Sequence, residues 1–175
     1  MNMRTFILFC LLALSLPAAK AQSNQWSAGF QLNELGQDFG IGLNFASPYF
    51  ANDYLAIRLR ANYQYFEYVD QGETTWDGYL HFNLGLVSAS YSISEKLRLY
   101  SEGGVVLVTS AFGLDENELH FGGYGLFGFE FHYSPGSTCF IELGGQGVSA
   151  IAEELPNQPF YSNGFSMSVG TRYYF

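Results

Sequence analysis

The side chains of this chain that could do chemistry are mostly charged groups set at every second position. Arg58 and Arg60 alternate with Ile57, Leu59 and Ala61, and Arg98 and Glu102 share a register opposed to Leu97, Leu99 and Val105. Glu130 lies among Phe127, Phe129 and Phe131, Glu142 between Ile141 and Leu143, and Arg172 between Thr171 and Tyr173. A period of two puts one kind of residue on each face of a strand. Four arginines and three glutamates therefore face one side of several strands, with apolar residues on the other. If that side is enclosed the charges must pair, because an isolated charge in such a place is costly and a hydrogen-bonded pair recovers much of the cost. Two uses of such a set stay open: a salt-bridged plug that keeps a lumen closed, or a narrow ion path lined by the same groups, with Arg60 and Glu102 near its middle.

Other chemistry finds less support. His81, His120 and His132 have no partner serine or metal-ligand spacing around them, so each reads as a hydrogen-bonded wall or rim residue. Gly123-Tyr-Gly125-Leu-Phe-Gly128 matches a dinucleotide fingerprint in form, but it lies inside an expected strand with no helix to receive a pyrophosphate. Glu34, Asp38, Glu67, Asp70, Glu73, Asp77, Asp115, Glu116, Glu118, Glu153 and Glu154 fall in connections expected at one rim. The densest group is Asp115-Glu116-Asn117-Glu118. Oxygen ligands of this kind, with Glu153 and Glu154, could hold Ca²⁺ or Mg²⁺, although no fixed calcium-loop spacing is present and solvated surface charge is the plainer account. No cofactor is implied.

The elements that must position these groups read as eight strands, near 26–33, 39–46, 54–66, 76–89, 96–108, 120–133, 138–149 and 163–175. Most reach the ~9–11 residues a tilted strand needs to cross a bilayer. The connections at 67–75, 109–119 and 150–162 are long, whereas 91–95 and 134–137 are short. Only the short 34–38 and the long 47–53 break this alternation, which is that of a barrel with long outer loops and short inner turns. Glycines recur on the charged face, at Gly29, Gly40, Gly42, Gly85, Gly104, Gly122, Gly128, Gly144 and Gly170, leaving room for large side chains from opposite walls. Tyr63, Tyr65, Trp76, Phe121 and Phe160 cluster toward one set of strand ends, and Phe45, Phe131, Tyr133, Tyr173 and Phe175 toward the other, as aromatic belts do.

Residues 1–21 have a polar start with Arg4, an apolar run from Phe6 to Leu16 and an Ala19-x-Ala21 ending, the pattern of a cleaved signal peptide. The run is too short to span a bilayer, and Cys10 sits too deep in it for lipoprotein processing. Residues 22–175 then form one domain. It has five basic residues, Arg58, Arg60, Lys96, Arg98 and Arg172, against all 16 acidic ones, which excludes nucleic acid as a partner. Cys139 alone cannot form an intramolecular disulfide and suits an apolar strand face. With 13 Tyr, 17 Phe and 20 Gly, the expectation is an all-β, eight-stranded antiparallel transmembrane barrel with up-and-down topology.

The last strand, NGFSMSVGTRYYF, alternates Phe165, Met167, Val169, Thr171, Tyr173 and Phe175 with small or polar residues. With the leader and the Gly- and aromatic-rich walls, it resembles the small outer membrane protein β-barrel domain family, porin-like and similar to OmpX and the transmembrane barrel of OmpA. The resemblance implies a monomer in the outer membrane of a Gram-negative bacterium, with both termini periplasmic. Its partners would be membrane lipid, lipopolysaccharide and the barrel assembly machinery, for which Tyr173 and Phe175 would act as the assembly signal. A structural or surface-interaction role is expected, with a narrow porin-like or OmpW-like channel as the alternative. A lipid-modifying enzyme comes third: deacylases of this architecture carry a His just before a Ser-Asn pair, whereas Phe160 and Tyr161 precede Ser162-Asn163 here.

Overall fold

The computed structural model describes residues 25–70, 72–88, 91–109, 119–152 and 160–175. The expected leader and Asp115, Glu116, Glu118, Glu153 and Glu154 lie outside them. Eight long strands are present: β1 (Ser27–Leu35), β2 (Asp38–Ala46), β3 (Leu55–Asp70), β4 (Glu73–Ser88), β5 (Leu97–Thr109), β6 (Leu119–Ser134), β7 (Ser137–Val148) and β8 (Gly164–Tyr174). Each pairs antiparallel with its neighbours in sequence, and β1 also pairs with β8, so the sheet closes. Closure leaves no edge strand, which lets a sheet sit in hydrocarbon with every ladder group paired. The β1–β8 seam is fastened at both ends, where the Phe175 amide donates to the Trp26 carbonyl at 2.9 Å and the Gly36 amide to Phe165 at 2.8 Å.

The alternation read from the sequence is the one the barrel uses. In β2, Asp38, Gly40, Gly42, Asn44 and Ala46 are buried while Phe39, Ile41, Leu43 and Phe45 are exposed. Leu43 is 64% exposed and Phe165 63%, and large apolar side chains continue around the whole outer wall. Water solvates such a surface poorly and lipid solvates it well. Trp26 stacks on Phe45 with ring centroids 5.2 Å apart, and Tyr173 on Phe175 at 6.2 Å, at the terminal end of the barrel, where the described residues begin and where Phe175 lies. Cys139 lies on the outer face.

Two expectations need correction. The connection read as a loop at 67–75 is a hairpin: β3 and β4 each run for 16 residues, and Asp70 pairs with Glu73. Glu67, Glu73 and Asp77 are thus strand residues. The second concerns Asp38, read as a solvated rim acid, which is the buried first residue of β2.

Candidate functional site

The lumen is filled in three levels. Nearer the terminal end, Arg58 and Arg60 on β3, Glu102 on β5, Glu130 on β6, Glu142 on β7 and Arg172 on β8 meet across the barrel, all buried. Arg58 Nη1 donates to Glu102 Oε2 at 2.7 Å and to Glu142 Oε1 at 3.3 Å. Arg60 bridges two carboxylates, with Nε 2.9 Å from Glu102 Oε1 and Nη1 2.5 Å from Glu142 Oε2. Arg172 donates from Nη1 to Glu130 Oε1 at 2.7 Å and from Nη2 to Glu142 Oε1 at 3.4 Å. Three guanidiniums thus face three carboxylates, and the cluster carries no net charge.

Hydroxyls use the lone pairs the arginines leave. Tyr100 donates to Glu142, Tyr124 to Glu102 at 2.7 Å, and Tyr174 and Thr138 to Glu130 at 2.7 and 3.0 Å. The Arg172 guanidinium also lies 4.3 Å over the Phe140 ring. Buried ions are tolerable when paired and hydrogen-bonded to this degree. Tyr100 can reach the axis because Gly128 stands opposite it on β6, where a Cβ would run into its ring.

The structure leaves Arg98 out of this cluster. It is the second residue of β5, partly exposed, and joins no ion pair among the described residues. His132 is near it, 3.8 Å from Glu130 and stacked on Tyr174.

Above the ions lies a belt of amides. Arg172 Nε donates to Asn44 Oδ1, Asn44 to Gln31, Gln31 to Asn62, Asn62 to Asn83, and Asn83 to Gln146, at 2.9–3.4 Å. Every donor in this chain points the same way, from the buried cation toward the long-loop end. Dipoles aligned head to tail strengthen one another.

The third level closes the long-loop end. Gln146 Nε2 donates to the Ser162 carbonyl at 3.0 Å and to its hydroxyl at 2.9 Å. The Ser162 amide donates to Asp38 Oδ2 at 3.3 Å, and Tyr79 donates to the same oxygen at 2.6 Å. This folds the 160–162 segment into the mouth, where Tyr161 packs on Tyr79 and Phe66 with Val106, Val108, Val148, Ala150 and Ala152. Ser162 has φ 56°, a conformation an L-residue adopts only when its surroundings hold it there. Ser162, of the Ser162-Asn163 pair, is therefore a fully buried latch. His120 contacts Tyr161 edge-on beside it. Asp38→Ala is expected to remove the carboxylate to which the Tyr79 hydroxyl and the Ser162 amide both donate, at a cost of about 1–3 kcal/mol. It should also speed proteolysis between residues 150 and 163, while Asp38→Asn, which keeps an acceptor, recovers most of the protection.

Arginine and glutamate parity made the ionic level visible in the sequence. Asp38, Tyr79, Tyr161 and Ser162 were missed, because the latch joins residues 124 apart. The amides Gln31, Asn33 and Asn44 carried a readable signal, since they alternate with Phe30, Leu32, Leu43 and Phe45.

No family model matches the sequence, and no curated protein does. Solved structures do match. The N-terminal β-barrel domain of Pseudomonas aeruginosa OprF aligns with a TM-score of 0.60 at 12% identity, over 87% of this chain and 98% of that one. A de novo designed transmembrane β-barrel gives 0.59 at 12% identity, over 91% of this chain and all of that one. The outer membrane protein Ail of Yersinia pestis, in a phospholipid nanodisc, gives 0.54 at 14% identity, over 87% and 99%. At these identities the likeness is one of architecture: the chain has the fold of the small, eight-stranded outer-membrane β-barrels.

Proposed function

We propose that the protein is an integral outer-membrane barrel whose lumen is closed and which acts through its outer surface and loops. The barrel is fully inserted, with both termini in the periplasm and the long acidic loops outside. The observation that carries this reading is the ionic level: six charged side chains from five strands, mutually bonded across the lumen, with the packed Tyr79, Tyr161 and Phe66 cap beyond them. An eight-stranded barrel is only about wide enough for its own side chains. Here those side chains are tied to one another.

Conductance of the refolded protein in a planar bilayer tests this directly, after folding is confirmed by heat-modifiable gel mobility. A folded, electrically silent barrel is expected. Steady ion-selective openings whose selectivity changes in Glu102→Gln would overturn the closed-lumen reading and establish the channel alternative.

The acidic loop residues Asp115, Glu116, Glu118, Glu153 and Glu154 are the proposed contact surface, able to bind Ca²⁺ or Mg²⁺ and through it lipopolysaccharide phosphate. The end of the last strand, with Tyr173 and Phe175, is the proposed signal to the barrel assembly machinery. Both rest on the anionic composition, the exposed aromatic terminus and the closed eight-stranded fold. Shortening the connections at 110–118 and 153–159 should abolish binding to divalent-loaded lipopolysaccharide and leave the barrel folded. Unchanged binding would remove the loops from the mechanism.

A further inference from the structure

The β1–β2 hairpin turns back between Leu35 and Asp38, while β3 and β4 beside it run on to Asp70 and Glu73. The pairing of β3 with β2 ends where Tyr65 lies opposite Phe39. Beyond that point β3 keeps β4 on one side and, among the described residues, no strand on the other. Which main-chain groups this leaves free follows from the ladder's period of two. At the start of β3, Phe50 and Leu55 exchange bonds at 2.7 and 3.2 Å, and the Ser47 amide donates to the Ile57 carbonyl at 2.9 Å. Odd-numbered residues of β3 thus address the β2 side, and no register shift interrupts the strand before Asp70. Glu67 and Val69 therefore aim their N–H and C=O groups at the open side, where no described residue pairs with them.

This edge is firmly held. On its lumen face Phe66 stacks on Tyr68 at 6.0 Å and packs on Tyr161 of the cap, and the Tyr68 hydroxyl donates to Asp77 Oδ2 at 2.9 Å. On its outer face Glu67 and Val69 are exposed. A free strand edge is a template for another strand, and native proteins blunt one with charge, lysine above all, with proline or with a bulge. Between Phe66 and Asp70 the chain has no lysine, no proline and no bulge, only acids. That charge selects the occupant. Glu34, Glu67 and Glu73 are exposed toward this end of the barrel, whereas Arg58, Arg60 and Arg172 are paired in the ionic level and Lys96 and Arg98 stand at the terminal end. A second copy at the same edge would set acid against acid, which destabilises paired strands. An incoming strand with Lys or Arg forms opposite-charge pairs instead.

We propose that the β3 edge at Glu67 and Val69 is a docking site for an extended, cationic segment of another protein, which adds to the sheet as a further strand. Main-chain bonds supply the affinity. Outward side chains set the preference, with Lys or Arg favoured beside Glu67 and an apolar residue beside Val69. The site adds to the outer-surface role proposed above and rests on that end of the barrel facing outward, but it is separate from the divalent-binding connections.

The test uses the refolded barrel in detergent micelles and a short synthetic peptide alternating lysine with threonine, with binding read from the anisotropy of the labelled peptide. Amide hydrogen exchange locates it. The Glu67 and Val69 amides should exchange fast in the free barrel and become protected by the peptide. Methylating the peptide's backbone nitrogens keeps its charge but removes strand bonding, and should weaken binding by about tenfold or more. Val69→Pro removes a free donor and no bond of the β3–β4 ladder, and should weaken it similarly. A peptide with glutamate in place of lysine should not bind. Shortening the connections at 110–118 and 153–159 should leave peptide binding intact, so this site and the divalent reading fail separately. Amides of Glu67 and Val69 already protected in the free barrel would overturn the proposal. So would no binding of the lysine peptide, equal binding of its methylated form, or loss of binding on shortening those connections. Should Val69→Pro fail to refold, Glu67→Lys should shift the preference toward the glutamate peptide, and an unchanged preference would equally overturn the assignment.

Discussion

Replacing Glu142 with leucine is expected to destabilise the folded barrel by about 3–5 kcal/mol, the range for removing one partner of a buried ion pair. Glu142 is the hub of the ionic level: Arg58, Arg60 and Arg172 all reach it, and Tyr100 donates to it. Without it, three buried guanidiniums share two carboxylates, Glu102 and Glu130. The loss is thus mainly the cost of an uncompensated charge held away from water. Arg60→Met combined with Glu142→Leu restores neutrality and should recover much of the stability, although it removes more hydrogen bonds than the single change. Arg98→Ala, at the partly exposed end of β5, should behave like wild type. Urea unfolding of the refolded barrel, followed by Trp26 and Trp76 fluorescence, measures all three. A double variant no more stable than Glu142→Leu alone would show that shape, and not charge balance, governs this level.

Gly104→Ala is expected to disrupt the β4–β5 seam, costing about 3 kcal/mol, while Gly103→Ala next to it stays within about 0.5 kcal/mol of wild type. Gly104 faces the lumen opposite Gly85. A Cβ there would strike the Leu84 carbonyl oxygen and lie 2.5 Å from the Gly85 Cα. Both obstacles are backbone, so no rotamer change relieves them and the strands must move apart. Gly103 faces outward, and a Cβ on it meets nothing closer than the Tyr124 carbonyl oxygen at 3.6 Å. Refolding yield and urea midpoint of the two variants give the comparison. Equal behaviour would mean that the seam absorbs the extra methyl.

The strand count, the face of each side chain and the gathering of arginine and glutamate on one side were all written in the sequence. They follow from a local rule: successive side chains of a strand point to opposite sides, so parity alone assigns Arg58, Arg60, Glu102 and Arg172 to one face. Parity says nothing about height. Arg98 and Arg172 have the same parity, yet Arg172 reaches two carboxylates inside the lumen and Arg98 stays at the terminal end. The stagger of strands on closure decides that, and it is a property of the whole barrel. The ends of β3 and β4 were unreadable for another reason. Beyond Phe66 the outward positions carry Glu67 and Val69, so the apolar pattern fades while ladder pairing carries both strands on to Asp70 and Glu73. The latch was further still from view. Asp38 looks like a turn acid and Ser162 like a loop serine until closure places β1 beside β8 and brings the two within hydrogen-bond reach. Local alternation thus determined what faces the lumen, and tertiary closure decided which of those groups meet.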